Sequence, residues 1–101
     1  MNKKRILNLL GLAQRARKNV TGEQLVLKQI QNKQAQIVFL ASDSGKATQK
    51  KFIDKCNSYE IPLSMDFTRA ELSVAIGQVR SSIAITDAGF GLKIKSLLFS
   101  K

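Results

Sequence analysis

The sequence predicts an α/β protein: a three-layer α/β/α sandwich with a small mixed sheet of about four strands and helices on both faces. Three observations point there. Ile37-Val38-Phe39-Leu40-Ala41 is a continuous apolar run rich in β-branched and aromatic residues, the signature of a strand buried on both faces. Segments of helical and strand periodicity alternate from end to end, with no repeat, low-complexity stretch or linker. The chain has 101 residues and 44% hydrophobic content, which suits one domain spanning 1–101. A domain of that size buries roughly 65% of its unfolded surface, enough for a core without staples.

Each element has its own justification. Between Lys3 and Arg15, Ile6, Leu7, Leu9, Leu10 and Ala13 recur at helical spacing. The tail Arg15-Ala16-Arg17-Lys18 suits either pairing with the helix dipole or a phosphate contact. Asn19-Val20 is a very short strand. Thr21-Gly22-Glu23-Gln24 fits a capping box with Thr21 as N-cap, opening a helix to about Asn32 with Leu25, Val26, Leu27 and Ile30 available for the core. The buried strand follows, and Ser42-Asp43-Ser44-Gly45 then supplies turn and cap chemistry, with Asp43 expected to cap a helix. That helix runs from Lys46 to Tyr59, with Phe52, Ile53, Cys56 and Tyr59 as its inner stripe. Pro62 is tolerated at the start of an alternating strand, Leu63 to Phe67. Thr68-Arg69-Ala70-Glu71 is a second capping box, opening a helix that ends near Gly77. Ile83 to Thr86 is a third buried strand. A helix from Gly89 to Phe99 closes the chain, with Phe90, Ile94, Leu97 and Leu98 inward.

Charge is the outlying property. Seventeen Lys and Arg against seven Asp and Glu leave +10 at neutral pH, which points to a polyanionic partner. The single Cys56 excludes an intrachain disulfide and falls in a core stripe, and the absence of histidine removes the commonest general base. The basic start and short apolar run of residues 1–12 imitate a signal peptide. Asn8 and Gly11 interrupt the run, and Gln14-Arg15-Ala16-Arg17-Lys18 is a poor cleavage site. No run approaches the roughly 18 apolar residues of a membrane span. A soluble, cytoplasmic protein with no membrane partner is expected.

Catalytic and cofactor motifs fail on inspection. Gly45-Lys46-Ala47 lacks the glycine and the hydroxyl residue of a phosphate-binding loop, since Leu40 and Ala47 stand there. Gly89-Phe90-Gly91 lacks the third glycine of a dinucleotide site, Ile94 taking its place. Asp43, Asp66 and Asp87 all follow strands, and capping or strand termination explains them better than a magnesium site. No cofactor or metal is expected. What remains is Gly22-Glu23-Gln24 with Lys28 one turn on, at a helix N-terminus suited to phosphate. The aromatic residues, Phe99 among them, all fit core positions, so recognition of RNA shape by polar and cationic groups is favoured over base stacking.

The order of motifs is familiar. Gly22 and Lys28, then Ala35-x-Ile37-Val38-Phe39-Leu40-Ala41-x-Asp43, then Lys55-Cys56, Ile61-Pro62, Glu71-Leu72, Ala75-x-Gly77 and Ile83-Ala84-Ile85 together resemble the L7Ae ribosomal-protein family, and within it the small bacterial members. The resemblance implies an α/β/α sandwich, no catalytic activity, and binding of kink-turn RNA, whose tandem sheared G·A pairs are read in a groove. It implies ribosome association, with rRNA or another structured RNA as partner. The family's RNA-binding glycine falls on Gly22, its guanine-reading Asn-Glu pair on Gln24 and Leu25, and its lysine on Lys28. Its loop against the extruded base falls on Gly77-Gln78-Val79-Arg80-Ser81, about two residues shorter here. Gln24 keeps an amide, whereas Leu25 cannot accept a hydrogen bond from guanine. The expected RNA-binding residues are therefore Gly22, Glu23, Gln24, Leu25 and Lys28, with Gln78, Val79 and Arg80 from the loop. Lys18, Lys46, Lys50 and Lys51 are expected to neutralise backbone. The alternative is a protein-interaction module on the same fold with only non-specific RNA affinity, anchored by an outward Leu25. An enzyme acting through Asp43-Gly45-Lys46 has no nucleophile–base pair behind it.

Overall fold

A computed structural model describes residues 1–99, and its elements follow the expected alternation. They are α1 (Lys3–Arg15), β1 (Asn19–Thr21), α2 (Glu23–Gln31), β2 (Ile37–Leu40), α3 (Lys46–Tyr59), β3 (Leu63–Ser64), α4 (Arg69–Ile76), β4 (Ser82–Ile85) and α5 (Ala88–Phe99). The strands form one mixed sheet in the order β1-β4-β2-β3. β4 runs antiparallel to both β1 and β2, while β3 runs parallel to β2, as the intervening α3 crossover requires.

The two central strands separate the apolar residues into two cores by simple alternation. Ile37, Phe39 and Ala41 of the β2 segment join Ile83 and Ile85 on the face covered by α1, α4 and α5. Val38 and Leu40 join Ala84 on the other face, under Val26 and Ile30 of α2 and Phe52 and Cys56 of α3. All four residues of β2 and of β4 are buried, which is why β2 reads as an unbroken apolar run. Phe39 and Phe67 meet at 5.9 Å with rings tilted by 55°, and Lys3 Nζ lies 5.3 Å from the Phe67 ring. Burial pushes the Cys56 thiol up to about 11, in keeping with an unreactive core residue.

Several details differ from expectation. Thr21 does not cap α2. It pairs with Ile83 in the β1–β4 ladder, Gly22 takes the N-cap position at φ 94°, and no side chain among the described residues caps the helix. Leu25 faces solvent instead of the core, because Val26 and Ile30 set the buried side of α2 and Leu25 points about 100° away from it. Ile53 is likewise displaced by a quarter turn from Phe52 and Cys56 and is exposed. Phe99 lies half a turn away from the Phe90–Ile94 stripe and is exposed too. β3 stops at Ser64, where the Ser64 hydroxyl donates to the Asp66 carboxylate at 2.8 Å and the chain leaves the sheet to bury Phe67. Asp43 caps a helix as expected, and that helix is α4: its carboxylate accepts from the Arg69 amide at 2.9 Å. The second capping box forms as expected, Thr68 and Glu71 satisfying each other's amides.

The three strand-following carboxylates have separate tasks. Because β4 is antiparallel to β2, Asp87 stands at the opposite sheet end from Asp43, and it accepts from the Phe90 amide at 2.8 Å. Among the described residues no group of His, Cys, Asp or Glu is placed to hold a metal ion, and no helix is long and apolar enough to cross a membrane.

Candidate nucleic-acid interface

The site forms where β1 hands over to α2 and where the 77–81 loop enters β4. Antiparallel pairing puts the end of β1 beside the start of β4, with Thr21 opposite Ile83. The Gly22 amide donates to the Ser82 carbonyl at 3.2 Å, so the first turn of α2 is tied to the start of β4, where that loop ends. The loop is anchored on its other side by Ser73 of α4, whose hydroxyl accepts from the Arg80 amide at 3.1 Å and donates to the Arg80 carbonyl at 3.2 Å. Arg80 then folds back over β1: Nε donates to the Thr21 hydroxyl at 3.2 Å and Nη1 to the Val79 carbonyl at 2.8 Å. Thr21, freed from capping, thus positions a guanidinium.

Between α2 and the loop lies a small cleft of about 270 Å³, lined by Gly22, Glu23, Val79 and Arg80 and, from elsewhere in the chain, Thr48 and Arg69. A second cleft of about 280 Å³ adjoins it and shares Glu23, Thr48 and Arg69. It adds Asp43, Ser44 and Gly45 from the loop before α3, and the Ser44 hydroxyl there is buried without a hydrogen-bond partner among the described residues. Glu23 pairs with Lys51 at 3.1 Å, both partly exposed, a contact worth little by itself that links α3 to the start of α2.

On the outward side of α2, helical spacing puts Gln24, Leu25 and Lys28 together, opposite Val26 and Ile30. Leu25 is 58% exposed and Val79 in the loop 65%, so the polar surface carries two apolar points. The amides of Glu23, Gln24 and Leu25 and the positive end of the helix dipole stand at this terminus, since no side chain among the described residues caps it. Of the residues expected at the site, Gly22, Glu23, Gln24, Leu25, Lys28, Val79 and Arg80 lie on these two adjoining segments. Gln78 is exposed in the same loop. Lys46 begins α3, next to Gly45 of the second cleft, and Lys50 is exposed one turn on. Lys18 is not brought to the site. It precedes β1 at the far end of the strand, where its carbonyl accepts from Thr86 and its Nζ stands 3.9 Å from Asp87. Thr48 and Arg69 are the residues that sequence reasoning missed. Nothing in their local pattern marks them, because only the β2–β3 crossover and the Asp43–Arg69 bond bring them to Gly22.

A small α/β/α sandwich with a basic surface and an uncapped helix terminus beside a polar cleft is the architecture of a nucleic-acid-binding module. The chain belongs to the ribosomal protein L7Ae/L30e/S12e/Gadd45 family, whose model it matches over residues 4–94. It is 43% identical over 97 residues to a protein named RNA-binding protein YlxQ from Enterococcus faecium, covering 96% of this chain and 94% of that one. It is 50% identical over 91 residues to RNA-binding protein YlxQ of Bacillus subtilis (strain 168), covering 89% and 91%. Among solved structures, a protein of unknown function from Bacillus halodurans C superposes with a TM-score of 0.87 at 48% identity, over 92% of this chain and 95% of that one. The Giardia lamblia 15.5kD RNA binding protein superposes with a TM-score of 0.77 at 17% identity, over 96% and 91%, which shows a shared fold.

Proposed function

We propose that the protein is a non-catalytic RNA-binding protein that grips a kink-turn-like or similarly bent RNA, in association with the ribosome in the cytoplasm. One observation carries the reading. The N-terminus of α2, with Gln24 and Lys28 outward, and the 77–81 loop form one continuous surface, locked by the Gly22–Ser82 and Arg80–Thr21 hydrogen bonds. The names of the two YlxQ relatives support RNA as the ligand.

The roles follow from chemistry. Gly22 and the free amides after it receive a phosphate. The Gln24 amide offers both donor and acceptor to the edges of sheared bases. Lys28 supplies a point charge to phosphate or a guanine edge, and Val79 packs against a base turned out of the helix while Arg80 faces the backbone. Leu25 contributes packing alone. Its exposure, with that of Val79, favours a second reading, a protein-interaction module with only non-specific affinity for RNA.

Binding of two labelled RNAs at low and moderate salt separates the two. One carries a kink-turn with tandem G·A pairs, and the other has those pairs replaced by Watson–Crick pairs. The proposal predicts a preference for the kink-turn that survives rising salt. Equal affinities that fall together with salt would support the second reading, since only phosphate contacts carry that dependence.

A further inference from the structure

On the opposite side of the sheet from α2, the packing of α1 against α4 leaves a long groove of about 810 Å³. The two helices come close because Gly11 has no side chain: a Cβ there would stand 2.7 Å from the Ala75 carbonyl oxygen. Beside that contact the groove is lined by Leu7, Leu12, Val74 and Ala75, with Val74 84% and Leu12 46% exposed. Lys4 and Arg15 stand at its two ends, eleven residues apart on α1, a span on the order of 16 Å. Neither has an ion-pair partner among the described residues. Glu71, the one acid on the lining, is held in its capping box by the Thr68 amide and hydroxyl. No acidic residue precedes Glu23 in the chain, so the whole α1 side of the groove is cationic.

We propose that this groove docks an acidic amphipathic helix of a protein partner, so that the molecule joins RNA on one face to protein on the other. The shape selects a helix: a trough about three turns long between Lys4 and Arg15, apolar in its middle, receives side chains at i, i+4 and i+7. The charge selects an acidic one, with carboxylates flanking the apolar stripe to meet Lys4 and Arg15. A second copy of this chain is disfavoured, since it brings another +10 to a cationic surface. RNA is disfavoured because the lining between the two cations is aliphatic apart from Asn8 and offers bases no aromatic platform.

Docking of the helix is independent of the RNA reading, and its primary test uses the chain without RNA. The probe is a designed helical peptide of about 15 residues with Leu along one face and Glu on its flanks, beside a twin with every Glu replaced by Lys. Added to the isotope-labelled full chain, the Glu peptide is expected to move the amide signals of Gly11, Leu12, Val74 and Ala75 and to leave Gln24 to Lys28 unmoved. Val74→Glu, at a fully solvated position, weakens it by about tenfold or more. Lys4→Glu with Arg15→Glu transfers the preference to the Lys peptide. The proposal fails if the Glu peptide does not bind, binds no better than its twin, or shifts α2 instead. It also fails if the free chain sediments as a dimer that Val74→Glu splits, or if a kink-turn RNA perturbs the groove.

Discussion

At Gly22 the backbone holds φ 94° and ψ 145°, and no atom of the described residues beyond its chain neighbours lies within 4 Å of where a Cβ would stand. The glycine is therefore required by conformation and not by space, in contrast to Gly11, where the obstacle is the Ala75 carbonyl. Gly22→Ala is expected to cost roughly 1–3 kcal/mol of stability, all of it backbone strain, because side chains rarely adopt that region. Urea denaturation measures it, and an unchanged midpoint would show that the start of α2 relaxes freely. The same residue explains why the Thr21 capping box, correct in its spelling, does not form. A residue in this conformation stands between Thr21 and the helix, and the threonine hydroxyl is engaged by Arg80. Leu25 follows the same lesson. Four apolar residues in a row of six offered more than one buried stripe, and only the direction in which Val26 and Ile30 pack decides among them.

At the scale of elements, α4 carries the clearest local signal, and its energetics can be read from one group. The Thr68 amide donates to the Glu71 carboxylate at 2.9 Å, and this bond above all holds the Glu71 carboxyl below the usual carboxylate range, with Lys3 and the Thr68 hydroxyl adding to it. A carboxyl whose folded pKa is depressed contributes stability that is present above its unfolded value and is lost as pH falls through the folded one. Glu71→Gln keeps a capping oxygen but no charge. The stability gap between wild type and Glu71→Gln is thus expected to be widest near neutral pH and to close on acidification below the ordinary value of 4.5, as denaturation midpoints at a series of pH values would show. A gap independent of pH would contradict it. Both this box and the buried run of β2 were legible because each is written in adjacent residues. β3 was not: its alternation continues to Phe67, but the Ser64–Asp66 bond and the burial of Phe67 among α1 and α4 take the chain off the sheet after two residues. The placing of Thr48 and Arg69 beside Gly22 was illegible for the same reason, since it depends on contacts across the chain.

For the molecule as a whole, the sheet divides the surface into two sides with different chemistry. The α2 and α3 side presents an uncapped helix terminus, polar clefts and lysines; the α1, α4 and α5 side presents an aliphatic groove with cationic ends. Net charge alone predicted a polyanionic partner but not which side it uses, because cations are spread over both. Lys18 illustrates the limit, being near Gly22 in sequence yet at the other end of β1 and beside Asp87. The proposal that RNA is held by the α2 terminus and the 77–81 loop is tested most directly by recording the amide spectrum of the labelled chain as kink-turn RNA is added. The account predicts that the largest shifts fall on Gly22 to Lys28 and Gly77 to Ser81, with Lys18 and the Leu12 and Val74 groove unmoved. Shifts concentrated on α1 and α4, or spread evenly over every lysine-bearing surface, would contradict it.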